Sequence, residues 1–397
     1  MATEADDTDV QTMNETENYE LPGRRSDLTS DSAIPLVWPP LLELPAADKL
    51  VVYLDLNHWI GLSQALIGHR QGAAHVDTLE ACRAARASGR VTFVLSGTAY
   101  IEVQRIKHPD QRRRLAEVVE ELADFSTLVG RHVAMALELD AVLDPIAKRP
   151  SQLSKVPLLG RGVRHAFGIQ SGFSIMGPEG DVTESFRQRY GPAKFDAHMA
   201  ETMLKMERSI FRGPMNADEE KGLRSYGYLP ESTVAMAQKR LEHELSYKRT
   251  MDADPSIRRG DLTDYVSVRE LLIEFQDILP RTLQQRGLVL ADLREGREAG
   301  RRLVHSMPST DVSITLKSAW HRNGQREWAT NDIFDIDALS LAMPYCDVVV
   351  TEKACAHILR TAKIDQRMNT ALLTNLQELP EVLKSSMSKR VPATLVM

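Results

Sequence analysis

An α/β fold around a parallel sheet is the architecture this sequence predicts, on three observations. Short, largely apolar runs, LVVYL at Leu50–Leu54 and VTFVLS at Val91–Ser96, alternate with segments at helical spacing. Both runs are apolar at successive positions instead of at every second one, the pattern of strands covered on both faces. Two more runs, Val348–Thr351 and Ala371–Thr374, repeat the alternation near the C-terminus, so the sheet is completed across a long intervening segment.

Taken in order, residues 1–48 are rich in Asp, Glu, Thr and Asn without apolar periodicity, and read as a flexible acidic tail that cannot bury enough surface to order itself. Leu50–Leu54 reads as the first strand, Val76–Ala87 as a helix, Val91–Ser96 as the second strand and Thr98–Ile106 as a helix carrying Glu102. Asp335–Met343 reads as a helix leading into the strand Val348–Thr351. Residues 49–110 and 331–397 thus make one α/β core, and residues 111–330 a large, mostly helical insertion. Within it Ala116–Leu143, Phe195–Phe211, Glu231–Met251 and Leu262–Leu279 have helical spacing, while Gly160–Gly180 reads as a glycine-rich loop.

Composition narrows the function classes. A chain of 397 residues with 43% hydrophobic residues can bury a real core. No run approaches the roughly 18 apolar residues of a membrane helix, and no signal pattern opens the chain, so a soluble, cytoplasmic protein without a membrane partner is expected. The formal charge of -6 argues against a surface coated uniformly for nucleic acid. Three cysteines are too few for a disulfide framework, and Cys346, Cys355 and His357 match no common zinc spacing.

The acids are more informative. Asp55 stands at the end of the first strand, where an unpaired carboxylate is costly, and Glu102 follows the end of the second. Asp332, Asp335 and Asp337 open a helix, and Glu352 lies just past the third strand. Ligands of open parallel sheets sit beyond the carboxyl ends of the strands, so four segments deliver carboxylates to one edge. Such a cluster suits a hard cation, Mg²⁺ or Mn²⁺, whose charge offsets the repulsion among its oxygen ligands.

The stretches YLDLNHWIGL, VLSGTAYIEV and DIDALSLAMPYCDVVVTEK together resemble the motifs of the PIN-domain nuclease family. The resemblance covers Leu50 to Lys107 and Asn331 to Leu383, leaving the tail and the insertion unmatched. It implies a three-layer α/β/α sandwich with a central parallel sheet, and a metal-dependent nuclease acting on RNA more often than DNA. On the matching positions Asp55 is the first acid, Glu102 the second, and Asn57 a polar residue supporting the first. Three aspartates compete for the third place. Asp335 has the separation from the VVVT strand that the family shows, with Ala338, Leu339 and Ala342 on its buried side. Asp332, one turn earlier, can share a metal face with it, and Asp337 has the motif's following letters; the order of preference is Asp335, Asp332, Asp337. Where the family carries an aspartate two positions after the threonine, this chain has Lys353, and the acid there is Glu352.

Other readings stand beside these. Asp332 or Asp335 also suits a helix N-cap, Asp347 at the strand's other end reads as structural, Trp59 as core, and Tyr100 equally as packing. Lys353 is a candidate for the scissile phosphate. Because a site made only of acids repels a polyanion, cations must come from elsewhere: Arg161 and Arg164 in the glycine-rich segment, or the pairs Lys239-Arg240 and Arg258-Arg259, which otherwise read with Lys248-Arg249 and Arg301-Arg302 as solvated helix faces. The insertion could instead mediate a homo-oligomer or a protein partner through the Glu231–Met251 helix. A catalytically silent PIN-like module binding RNA or protein is the alternative. A phosphatase of the haloacid dehalogenase type needs a second aspartate where this chain has Asn57.

Overall fold

The computed structural model describes residues 49–148, 158–169, 174–225, 228–260, 262–293 and 303–389; the acidic segment 1–48 and the Arg301-Arg302 pair lie outside the described residues. Strand β1 (Leu50–Leu54) pairs in parallel with β2 (Val91–Val94), Val52 opposite Phe93. Along its other side β1 pairs in parallel with the strand Val348–Val350, which in turn pairs with Ala371–Leu373. The result is a four-stranded parallel sheet in the order β2, β1, Val348–Val350, Ala371–Leu373, within a chain that is mostly helical.

Every residue of β1 is buried, and alternation divides them between two cores. Leu50, Val52 and Leu54 pack with Trp59 and Leu62 of helix α1 (Leu56–Leu66) and with Leu79 and Cys82 of helix α2 (Val76–Ala87). Val51 and Tyr53 face the other way, onto Leu316, Trp320, Leu339, Ala342 and Leu359. Both faces are therefore covered by helices, which is why the strands read as unbroken apolar runs. Among the described residues no helix is long and apolar enough to cross a membrane.

The element ends agree with the sequence reading to the residue for β1 and α2. Helix α3 (Gly97–Gln104) carries Glu102. Three expectations inside 111–330 are corrected. Ala116–Leu143 is not one helical stretch: α4 (Pro109–Ala123) stops at Asp124 and Phe125, whose φ of 48° and 52° put both in the left-handed region. Aspartate tolerates that conformation, and the fully buried Phe125 draws the chain inward. There follow strand β3 (Ser126–Leu128) and helix α5 (Arg131–Ile146). Leu95 donates to Ser126 O and accepts from Leu128 N, so β3 joins the sheet edge beyond β2 by a single bridge.

The glycine-rich segment is not simply a loop either. It holds strand β4 (Leu159–Arg161), antiparallel to β3, a short helix Gly162–Ala166 and a tight hairpin, Met176–Gly177 with Gly180–Asp181. A Cβ at Gly160 would lie 2.4 Å from the His165 ring, so only glycine fits against it. Leu262–Leu279 splits into the helix Leu262–Ile273 and the start of a second, Ile278–Arg286.

A buried ionic network ties these helices together. Lys317 lies within 3.6 Å of carboxylate oxygens of Glu244, Glu270 and Glu274, and Arg269 pairs with Glu244. Arg131 pairs with Glu270, Glu274 and Asp337, and Arg240 grips Asp337 with two guanidinium nitrogens. Burial alone would push the Glu244 carboxyl up, but Lys317, His321 and Arg269 hold it well below the usual carboxylate range. Four carboxylates thus meet four cations, with Glu244, Glu270, Arg269 and Lys317 buried and Arg240 partly exposed. Replacing Lys317 with methionine leaves Glu270 and Glu244 short of a buried counter-charge, and should lower the unfolding free energy by about 3–5 kcal/mol. Urea denaturation reads this out; a loss within the roughly 0–1 kcal/mol of an exposed pair would show that the arginines suffice alone.

Candidate functional site

The carboxyl edge of the sheet is where β1 hands over to α1. Asp55 is the N-cap of α1, yet its side chain makes no capping bond. Instead Oδ2 accepts from Thr351 Oγ1 at 2.9 Å, and the Tyr53 hydroxyl stands 3.5 Å from Oδ1. Tyr53 is two residues back on the strand and so shares the face of Asp55. Thr351 follows the neighbouring strand, whose Val350 O accepts from Asp55 N at 3.0 Å. The carboxylate is thereby fixed from both strands.

Burial pushes the Asp55 carboxyl up to about 6; the Thr351 hydrogen bond pulls it down and Glu352 pushes it up. Glu102 is raised by burial to about 8, with Asp55 adding to the rise and Arg105 opposing it. Asp335 is likewise raised by burial to about 8, then by Asp55, Glu352, Glu102 and Asp332 in turn. Burial, then Asp335, Asp55 and Glu352, raises the Cys355 thiol. Asp55 and Glu352 thus both act on Glu102 and on Asp335, although the four come from separate segments.

The three competing aspartates part company here. Asp332 Oδ2 accepts from Ala329 N at 2.7 Å and its other oxygen meets Arg326, so it caps its own helix, Thr330–Tyr345. Asp337 is held by Arg240 and Arg131. Asp335 has no cation partner among the described residues and faces Asp55, Glu102 and Glu352. Glu352 is exposed, caps the helix Lys353–Thr361 through its backbone, and accepts from Asn57 Nδ2 at 2.8 Å. Lys353, exposed, opens that helix. Asp347 accepts from Val51 N at 2.8 Å at the far end of the strands.

The cations proposed for substrate are placed elsewhere or otherwise engaged. Arg161 pairs with Asp124 and also donates to its carbonyl at 3.2 Å. Arg164 lies on the short helix Gly162–Ala166, where burial lowers its pKa. Arg240 belongs to the ionic network, and Arg258 donates to the backbone carbonyls of Met251 and His321. Arg105 donates to Asn331 Oδ1 at 2.7 Å and lies over the Phe334 ring. His58 is pushed down to about 4 by burial, so it stays neutral, and Trp59 is core. The Tyr100 hydroxyl donates to the buried Glu207, which also accepts from Val163 N, a polar contact between helices that spacing did not reveal. Tyr53 and Thr351 were missed as partners of Asp55, although their places next to the acid and at the neighbouring strand end were the available signal.

Among the described residues no three His, Cys, Asp or Glu side chains form a ready-made coordination group. The donor chemistry nonetheless fits a hard cation: the donors are carboxylate oxygens, raised first by burial and then by one another's charge, and a divalent ion would offset both. Comparison with protein-family models, with curated proteins and with solved structures finds no match.

In the folded chain Asp55, Glu102 and Asp335 keep their protons up to about pH 6, 8 and 8, whereas unfolded carboxyls release theirs near pH 4. Between those limits the folded chain binds more protons, so its stability falls as the pH rises. The melting temperature of the metal-free protein should drop between about pH 4 and 8, and Asp335→Asn should make that drop shallower. Parallel pH profiles for the two proteins in scanning fluorimetry would mean that Asp335 is outside the shared field.

Proposed function

We propose that this chain is a metal-dependent nuclease of the PIN-like type, hydrolysing phosphodiester bonds, in RNA more readily than in DNA. The observation that carries the reading is that Asp55, Glu102 and Asp335, from separate segments, come close enough at the carboxyl edge of a parallel sheet for Asp55 to add to the pKa rise that burial produces at Glu102 and Asp335. The helices on both sheet faces accord with the three-layer α/β/α sandwich that the motifs imply. Asp55, Glu102 and Asp335 would hold Mg²⁺ or Mn²⁺, with Glu352 beside them and Asp332 as an outer carboxylate. When bound, such an ion activates water and offsets the charge that builds on the phosphoryl group.

The chain's own residues prepare that chemistry. Thr351 and Tyr53 orient the Asp55 carboxylate. Asn57 holds Glu352 by a hydrogen bond at the same edge. Lys353 stands at the first position of the following helix, where its ammonium and the helix N-terminus favour an anion. Hydrolysis in this reading needs no Ser, Cys or His nucleophile, which accords with the neutral His58 and the deeply buried Cys355.

A second reading is favoured by one observation, the absence of a ready-made coordination group among the described residues: a catalytically silent PIN-like module that binds RNA or a protein partner. One assay separates them. Wild-type protein is incubated with RNA and with single- and double-stranded DNA in Mg²⁺ or Mn²⁺. Under the nuclease reading, Asp55→Asn and Asp335→Asn each lower the cleavage rate by about 10²-fold or more, and Mn²⁺ raises the wild-type melting temperature but not that of Asp55→Asn. No cleavage together with no Mn²⁺ stabilisation would leave the silent module.

A further inference from the structure

A cavity of about 490 Å³ lies between α1, the turn that follows it and the first half of α4, a size common among ligand sites. Ile60 and Gln64 of α1 and its C-cap residue Ile67 line the cavity. With Asn57 they fall on a single helix face, spaced three, four and three residues apart. Asn57 is the residue that meets Glu352 at the acid edge. One face of α1 therefore runs from the candidate metal site into the cavity. At 1.5 Å per residue Gln64 lies about 10 Å from Asn57 along the axis, the length of roughly three stacked nucleotides at 3.4 Å each.

The rest of the lining carries one cation, Arg114, and two imidazoles, His69 and His108. Arg114 closes the run Arg112-Arg113-Arg114, and its neighbours are committed. Arg112 donates to the carbonyls of Ile106, Arg212 and Pro214, and Arg113 pairs with Asp110 and Glu117. Arg114, half-buried, has no ion pair or hydrogen bond among the described residues. His69 accepts from Gln71 N through Nδ1, which leaves Nε2 as the N–H donor of the neutral ring. His108 caps α4 without a side-chain bond. Asp110, the single acid of the lining, is 3.6 Å from Arg113.

We infer that this cavity is a subsite for a single nucleic-acid strand, with Arg114, His69 and His108 on its phosphates and Ile60 and Ile67 against its bases or sugars. The inference rests on the nuclease reading, since it assigns that site's substrate path. It also explains how an edge made of carboxylates can keep a polyanion close: the attraction is placed one helix length away from the repulsion.

The test uses the full chain with Asp55→Asn, so that strands are bound without being cut, and a fluorescein-labelled single-stranded RNA of about ten nucleotides. Adding Arg114→Gln should weaken binding several-fold and flatten the slope of log K against log salt by about 0.7, the share of one phosphate on a single strand. His108→Gln should act in the same direction, and neither change should shift the melting temperature. Unchanged affinity and slope in both variants would overturn the inference, as would displacement of the strand by millimolar inorganic phosphate alone, which would assign the cavity to a free anion. Failure of the two readings can be told apart with Asp55 restored. A strand that is held through Arg114 and never cut removes the nuclease reading but not the subsite. Asp55-dependent cutting that Arg114→Gln leaves untouched, with equal affinity, removes the subsite alone.

Discussion

The parallel pairing of β1 with the strand Val348–Val350 is the interaction on which the rest of this protein depends. It joins residues nearly 300 positions apart: the hydrogen bond from Thr351 to Asp55 spans 296. Closing so long a loop costs entropy that rises only slowly with its length, which is why a large insertion can be tolerated within one sheet. The intervening residues also contribute to the sheet's own cores, through Leu115 and Phe125 on one face and Leu316 and Trp320 on the other. They hold the two halves together as well as separating them.

That pairing creates the electrostatic problem at the sheet's edge. Asp55 is buried among apolar neighbours and faces Glu352 and Asp335, so its charged form is disfavoured by desolvation before any neighbour acts. Hydroxyl donors from Thr351 and Tyr53 relieve part of this, the remainder raises Asp55 itself, and its charge adds to the rise that burial produces at Glu102 and Asp335. A site meant only to be stable would pair such acids with arginine, as the same helix does at Asp332 and Asp337. Leaving Asp335 without a cation partner among the described residues, between two neighbours that have one, is the feature that singles out this edge chemically.

The ionic network of the insertion bears on the same helix. Residues 335 and 337 are about 200° apart around a helix of 3.6 residues per turn. Arg240 and Arg131 holding Asp337 on one side thus help fix the rotation that turns Asp335 toward Asp55 on the other. Buried ion pairs add little net stability, because desolvation offsets their attraction. Their contribution here is geometric, setting how the Thr330–Tyr345 helix is oriented against the sheet.

The four strands of the parallel sheet, the parallel α/β class and the edge acids were legible in the sequence by itself, because they depend on local properties: unbroken apolar runs are what a doubly covered strand requires, and a carboxylate next to such a run is costly wherever it folds. Asp55, Glu102 and the aspartate group could be named on that ground. Which aspartate faces the site could not, since Asp332, Asp335 and Asp337 are alike as letters and differ in having beside them Arg326, no cation among the described residues, or Arg240. The break at Asp124 and Phe125 was hidden for a similar reason. Helical spacing continues through it, and the chain leaves the helix only because burial of Phe125 and the bridge between Leu95 and Thr127 outweigh local preference. Arg114, without a partner among the described residues beside its committed neighbours, is likewise a tertiary fact: three consecutive arginines are chemically equivalent until carbonyls from a distant segment take Arg112 and carboxylates of the same helix take Arg113. Partnership between side chains is decided by distance in space, and the sequence encodes that only through the fold.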